Sequence, residues 1–213
     1  MGKMGKKYIF AAVLLAAVMI GGYGCMVMGK IGENLSITDG ALKYMEEKYG
    51  EKFEYIKAHG AYMSMTSTGM MVSCESFPGK EIYVHIQLDG KERTYRDNYM
   101  EYYFAGQVND LIVGIAKDYF DDVSFEVSIL TTYSNVVMDL TTTFEEYLAN
   151  SRYFISGHMD VGEATEETMR EFAAELVRRG FHFSIGIDIP SANEGYSIYY
   201  FSEDKEFTFY RRK

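Results

Sequence analysis

Between Tyr8 and Gly29 lie 22 residues, YIFAAVLLAAVMIGGYGCMVMG, without one charged side chain. A hydrocarbon core about 30 Å thick is crossed by roughly 20 helical residues, each rising about 1.5 Å. The run is therefore long enough to span a membrane. Lys3, Lys6 and Lys7 precede it and Lys30 follows. Clustered cations stay on the cytoplasmic side, which directs the chain after Lys30 outward. Export signals share this plan of a basic start and a short apolar core, and Ile9 to Ile20 fits it equally well.

What happens to the segment depends on the residues before Cys25, which are Gly22, Tyr23 and Gly24. A lipoprotein signal carries an aliphatic residue three places before its cysteine and small residues between, so Gly22 and Tyr23 fit it poorly. Ordinary cleavage favours small residues at the third and first places before the cut, which Gly22 and Gly24 supply. The apolar run nevertheless continues through Cys25, Met26, Val27 and Met28, further than a cleaved peptide needs. A retained single-pass anchor with the N-terminus inside, lipidation at Cys25 and simple cleavage are the alternatives. All three agree on export.

Charge divides the chain. Residues 1 to 30 hold four lysines and no acid, which leaves 17 basic residues against 31 acidic ones beyond them. A surface so negative repels phosphate backbones and excludes nucleic acid as an expected partner. The remaining length is enough for one sizeable core or two small units. With Cys25 in or beside the membrane, Cys74 has no partner for a disulfide within the exported part.

Periodicity predicts an α+β fold, with helices packed on a mostly antiparallel sheet after the N-terminal segment. Thr38 or Asp39 caps a first helix through Leu42, Met45 and Tyr49, ended by Gly50. Three strands follow, around Phe53 to Lys57, Met70 to Phe77 and Glu81 to Leu88, with turns at Pro78-Gly79 and Asp89-Gly90. Asp97 caps a long helix whose Met100, Phe104, Val108, Leu111, Ile112, Ile115, Ala116 and Tyr119 share one face. After Asp121-Asp122, Val123 to Ile129 alternates as a strand. Further on, Phe144 to Ala149 reads as a short helix and Arg152 to Met159 as a strand. Thr165 opens a helix that Gly180 stops, Phe181 to Ile189 alternates into Pro190, and Tyr196 to Phe201 with Phe207 to Tyr210 forms a hairpin. The expected organisation is 1–30 as anchor or signal and 31–130 as a helix, three strands, long helix and strand. Residues 131–213 make a second α+β unit within the same or a separate domain.

Three stretches carry a resemblance: YGEKFEYI at Tyr49 to Ile56, DNYM at Asp97 to Met100, and DDVSFEV at Asp121 to Val127. Together with the N-terminal segment they resemble small uncharacterised membrane-anchored exported proteins of clostridia and related Gram-positive bacteria, over residues 1 to 130. The resemblance implies a compartment and no catalytic role.

Reactive chemistry is sparse. His158-x-Asp160 places two metal-ligand types on one strand face, with Glu163 close by. Cys74 and His85 on neighbouring strands are candidates for a thiol and its base. His59, Met63, Met65, Met70, Met71 and Cys74 form a soft donor group suited to cuprous copper. Each has an ordinary explanation in loop or core, so no cofactor is assigned. Two functions follow: a membrane-tethered extracytoplasmic binding or interaction domain, or a cell-envelope hydrolase using acids near Asp118, Asp121 and Asp122, Glu145 and Glu146, or Glu163, Glu166 and Glu167. The tyrosine-rich stretches TYRDNYMEYYF and GYSIYYF supply contact residues for an envelope protein or a small ligand.

Overall fold

The computed structural model describes residues 37–59, 66–90, 92–129, 136–150, 154–200 and 207–212. Tyr8 to Gly29 and Cys25 lie outside these residues, as do Met63 and Met65. Among the described residues no helix is long and apolar enough to cross a membrane. The described chain divides between Gly50 and Glu51 into two units.

The described residues of the first unit form one helix, α1, over residues 37–49. Thr38 and Asp39 lie inside it rather than capping it, and Ala41, Met45 and Tyr49 are its buried residues. Gly50 takes φ +73°, the left-handed stop that a residue without Cβ adopts freely.

The second unit is α+β, with two sheets. One has the order β1 (Phe53–His59), β2 (Ser67–Cys74), β3 (Ile82–Asp89), β4 (Glu92–Asp97), antiparallel throughout. Four strands thus precede the long helix where three were expected. The one missed is ERTYRD, whose only buried residue is the acid Asp97, so it lacks the apolar alternation that marks a strand. The long helix α2 (Tyr99–Ala116) buries Tyr99, Met100, Phe104, Val108, Ile112, Ile115 and Ala116.

The start of α2 also differs from expectation. Asn98, not Asp97, is the N-cap, and its side chain makes no cap hydrogen bond. Its Oδ1 accepts from the Tyr83 N–H at 2.8 Å, and its own N–H donates to the Tyr83 carbonyl at 3.2 Å. Asn98 thus acts as one more strand partner for β3. Asp97 takes over part of the cap by accepting from the Tyr99 N–H at 3.1 Å.

The other sheet has the order β5 (Ser124–Val127), β6 (Phe154–Asp160), β7 (His182–Ile189), β8 (Glu194–Tyr200), β9 (Thr208–Arg212). Only β6 and β7 run parallel, joined through α4 (Glu166–Arg178); the other neighbours are antiparallel. β5 therefore belongs with the strands after residue 130 and not with those before α2.

Along β7 burial alternates strictly, with Phe183, Ile185, Ile187 and Ile189 inward. Thr165 caps α4 in a reciprocal box with Thr168, and Met169, Phe172, Ala173 and Leu176 are buried. The Arg170 guanidinium stands 4.9 Å over the Phe209 ring, which sets α4 on the apolar side of this sheet.

Helix α2 joins the two sheets. Near its start Tyr99 meets Phe53 and Phe77 with ring centroids 6.0 and 5.0 Å apart, and the Tyr102 hydroxyl donates to the Glu81 carbonyl at 2.8 Å. Further along, Asn109 Oδ1 accepts from the Val127 N–H at 3.0 Å, and just past its end Phe120 packs edge-on against Phe172 at 5.4 Å. Short helix α3 (Phe144–Asn150) sets Tyr147 4.6 Å from Phe104.

Candidate functional site: the polar face of the five-stranded sheet

Register decides which side chains share a face. Reading across the second sheet, one row runs Ser124, Asp160, Asp188, Gly195, Arg212. The next runs Glu126, His158, Gly186, Ser197, Tyr210, and a third Ser156, Ser184, Tyr199, Thr208. Every member is polar, a glycine or a tyrosine. The intervening rows hold Phe125, Met159, Ile187 and Ile155, Phe183, and they face the core. Such a sheet has one face on a core and one toward water or a ligand.

Four side chains converge on this polar face. His158 Nε2 lies 3.3 Å from Asp160 Oδ1 and 3.1 Å from Asp188 Oδ2. Arg212 pairs with the other oxygen of Asp188 and donates to the Ile187 carbonyl at 3.1 Å. The floor is glycine. A Cβ on Gly186 would stand 3.2 Å from His158 Nδ1, and one on Gly195 would stand 2.7 Å from Asp188 Oδ1 and 3.1 Å from Arg212 Nε. Only a bare backbone lets the imidazole and guanidinium lie across the strands. Beside them the Tyr199 and Tyr210 rings lie tilted by 32° with centroids 5.5 Å apart, Tyr210 being 52% exposed.

Sequence spacing pointed to His158 and Asp160, and the structure adds Asp188 to them. Glu163 is exposed on the loop after β6 and is not a member of the group. Asp188 is 28 residues from Asp160 and arrives through the parallel β6–β7 register, where the two are direct partners. The i, i+2 spacing of IDI around a lone acid in an otherwise apolar alternation was its one sequence signal.

Cys74 and His85 do not meet. Gly69 is the residue opposite His85, so Cys74 is five positions further along β2, about 17 Å at 3.3 Å per residue. Burial pushes the Cys74 thiol up, and the Glu51 charge adds to this. Burial and the Arg96 charge push His85 down. A nucleophilic thiol needs the opposite environment. Of the soft donor group, Met70 and Met71 are buried in β2, and the His59 ring packs edge-on against Tyr83 at 5.0 Å.

Glu51 holds a second polar cluster. Its Oε1 accepts from the Tyr99 hydroxyl at 2.6 Å and its Oε2 from the Ser76 N–H at 3.2 Å. Burial raises the Glu51 carboxyl, but these hydrogen bonds, with those of the Ser76 and Cys74 side chains, outweigh it and hold the group below its usual range. Burial and the same bond push the Tyr99 hydroxyl up.

The acidic groups elsewhere mark helix and loop ends. Glu146 accepts from the Thr143 N–H at 2.9 Å, Glu166 pairs with Arg170 at 2.7 Å, and the Asp121 carbonyl accepts from the Gly162 N–H at 2.8 Å. Of the tyrosine-rich stretches, the first places Tyr99 and Phe104 in the core and leaves Tyr103 46% exposed. In the second, Tyr200 packs on Phe183 at 6.1 Å and Tyr199 joins the polar face.

No family model matches the chain. No curated protein matches it. Among solved structures, a DUF5037 family protein from Ruminococcus gnavus superposes over 78% of this chain and 92% of its own, at 11% identity and a TM-score of 0.38.

Proposed function

We propose that the protein is a membrane-tethered, extracytoplasmic binding or interaction domain whose contact surface is the polar face of β5–β9. The tether and the outward orientation rest on Tyr8 to Gly29 and the lysines around it. The surface rests on one observation: three adjacent rows without an aliphatic side chain, carrying exposed Tyr210 with half-buried Tyr199 beside a compact group of histidine, aspartates and arginine. Tyrosine gives large rigid contact area with a hydrogen-bonding tip, and charged neighbours fix the orientation of what docks there. The partner is an envelope protein or a small polar ligand; the net negative charge disfavours nucleic acid.

The test is recovery of bound material with the full-length protein from its own membrane, comparing wild type with the Tyr199→Ala/Tyr210→Ala double variant and with Tyr103→Ala. The double variant loses at least tenfold of any partner that Tyr103→Ala retains. Equal recovery by all three removes the sheet face as the contact surface. Orientation is tested with a reporter fused after Lys213, and activity confined to a cytoplasmic reporter contradicts export.

A further inference from the structure

We propose that His158, Asp160 and Asp188 form a binding site for a divalent transition-metal ion of the zinc class on the polar face of the second sheet. This deepens the reading of that face as a binding surface by naming the chemistry of one ligand. The three donor atoms all lie within 4.8 Å of one another. Two ligands held about 2.0–2.2 Å from a tetrahedral zinc ion stand roughly 3.3–3.6 Å apart. His158 Nε2 is 3.3 Å from Asp160 Oδ1, which matches an edge of that polyhedron, and 3.1 Å from Asp188 Oδ2, a few tenths of an ångström short of one.

Placement makes the set more than a chance of composition. His158 and Asp160 project from one face of β6, and Asp188 comes from the neighbouring strand directly opposite Asp160. Arg212 occupies Asp188 Oδ1 and is itself anchored on the Ile187 carbonyl, which leaves Oδ2 turned toward the imidazole. This is the outer-layer arrangement that orients a ligating carboxylate. Gly186 and Gly195 provide the clearance that the imidazole and the Asp188–Arg212 pair require.

The donor set narrows the ion. One imidazole with two carboxylates suits zinc or its borderline neighbours better than cuprous copper, which prefers sulfur, or calcium, which prefers six to eight oxygens. Two carboxylates against one guanidinium leave the site net negative before an ion arrives. The side chains of His158, Asp160 and Asp188 are 45%, 50% and 36% exposed, so an ion can enter and a fourth position faces solvent. Glu126 sits opposite His158 on β5 and adds negative charge at the rim.

The competing arrangement is an imidazole whose Nε2–H donates to both carboxylates with no ion. Titration separates the two. The full chain, purified in detergent, is titrated with Zn2+ against a chromogenic chelator. One equivalent binds; His158→Ala and Asp188→Asn each weaken it about a hundredfold and Arg212→Gln about tenfold, while Cys74→Ser and His182→Ala leave it unchanged. Circular dichroism checks that each variant folds, and Asp160→Asn, at a half-exposed side chain, serves as the second ligand variant. The inference is overturned by absence of stoichiometric uptake, by uptake that survives Asp188→Asn but not Cys74→Ser, or by Mg2+ or Ca2+ binding as tightly as Zn2+. No partner is present in this titration, so it can fail while the membrane recovery succeeds, and the reverse.

Discussion

The two sheets use similar side chains to different ends. In the first, β2 buries four consecutive residues from Gly69 to Val72, and on its outer rows Met71 is 3% and Tyr83 9% exposed. Both faces of the sheet are therefore covered along that stretch of β2, while β1 exposes Glu54 to Lys57 at the edge. In the second, β7 alternates without exception between buried and half-buried positions, and its outward residues are His182, Ser184, Gly186 and Asp188. A strand buried on both faces is committed to packing, whereas an alternating one keeps a face for water or a partner. The contrast supports the contact surface proposed on the second sheet.

The largest effect expected from this contrast is that of a charge placed on each outer face. Met71→Lys buries an ammonium group and should cost about 3 kcal/mol or more, enough to unfold a marginal domain. Tyr210→Lys, on the open face, should stay within about 0.5 kcal/mol. Urea midpoints of the two variants decide it, and equal losses would erase the distinction between the sheets.

A finer version compares two glycines on opposite faces of the second sheet. A Cβ on Gly157 would stand 2.3 Å from the Phe125 ring and 2.8 Å from the Glu126 carbonyl, a backbone atom that cannot swing away. On Gly195 its nearest neighbours are the ends of Asp188 and Arg212, which can. Gly157→Ala should therefore cost about 2 kcal/mol and Gly195→Ala less than about 1. The second variant should instead weaken zinc uptake by moving Asp188. A Gly195→Ala protein with unchanged uptake and a large stability loss would reverse the assignment of these two faces.

The smallest effect concerns the cluster in the first half. Tyr99→Phe removes the bond to Glu51 and should cost about 1 kcal/mol at neutral pH. Because the folded state holds Glu51 below its usual range, that contribution is present above about pH 4.5 and is lost as pH falls through the lower folded value. Tyr99 is shifted upward, so its contribution is full below its ordinary value of 10.0 and falls as pH rises beyond it. Denaturation of wild type and variant across pH should give curves that converge at both extremes. A constant gap at acid pH would show that Glu51 is not held by Tyr99.

Much of this architecture was legible in the sequence. The spacing from Met100 to Ala116 marked α2, the alternation from Phe183 to Ile189 marked β7, and Thr165 and Gly180 bounded α4. β4 was not, because a polar edge strand has no apolar period, and Asn98 was not, because its partner Tyr83 is 15 residues away. The site divides in the same way. The His158-x-Asp160 pair is local and readable, while Asp188, Arg212 and the two glycines meet it only through strand register. Sequence spacing shows which residues share a strand face and leaves open which strand lies beside it.

The contact surface is tested most directly by where a partner touches. A photo-crosslinking amino acid placed at position 210, and separately at position 103, in the full-length protein in its own membrane reads this out. A discrete adduct from position 210 and none from position 103 is the predicted result. Adducts from position 103 alone would contradict the assignment of the contact surface to the second sheet.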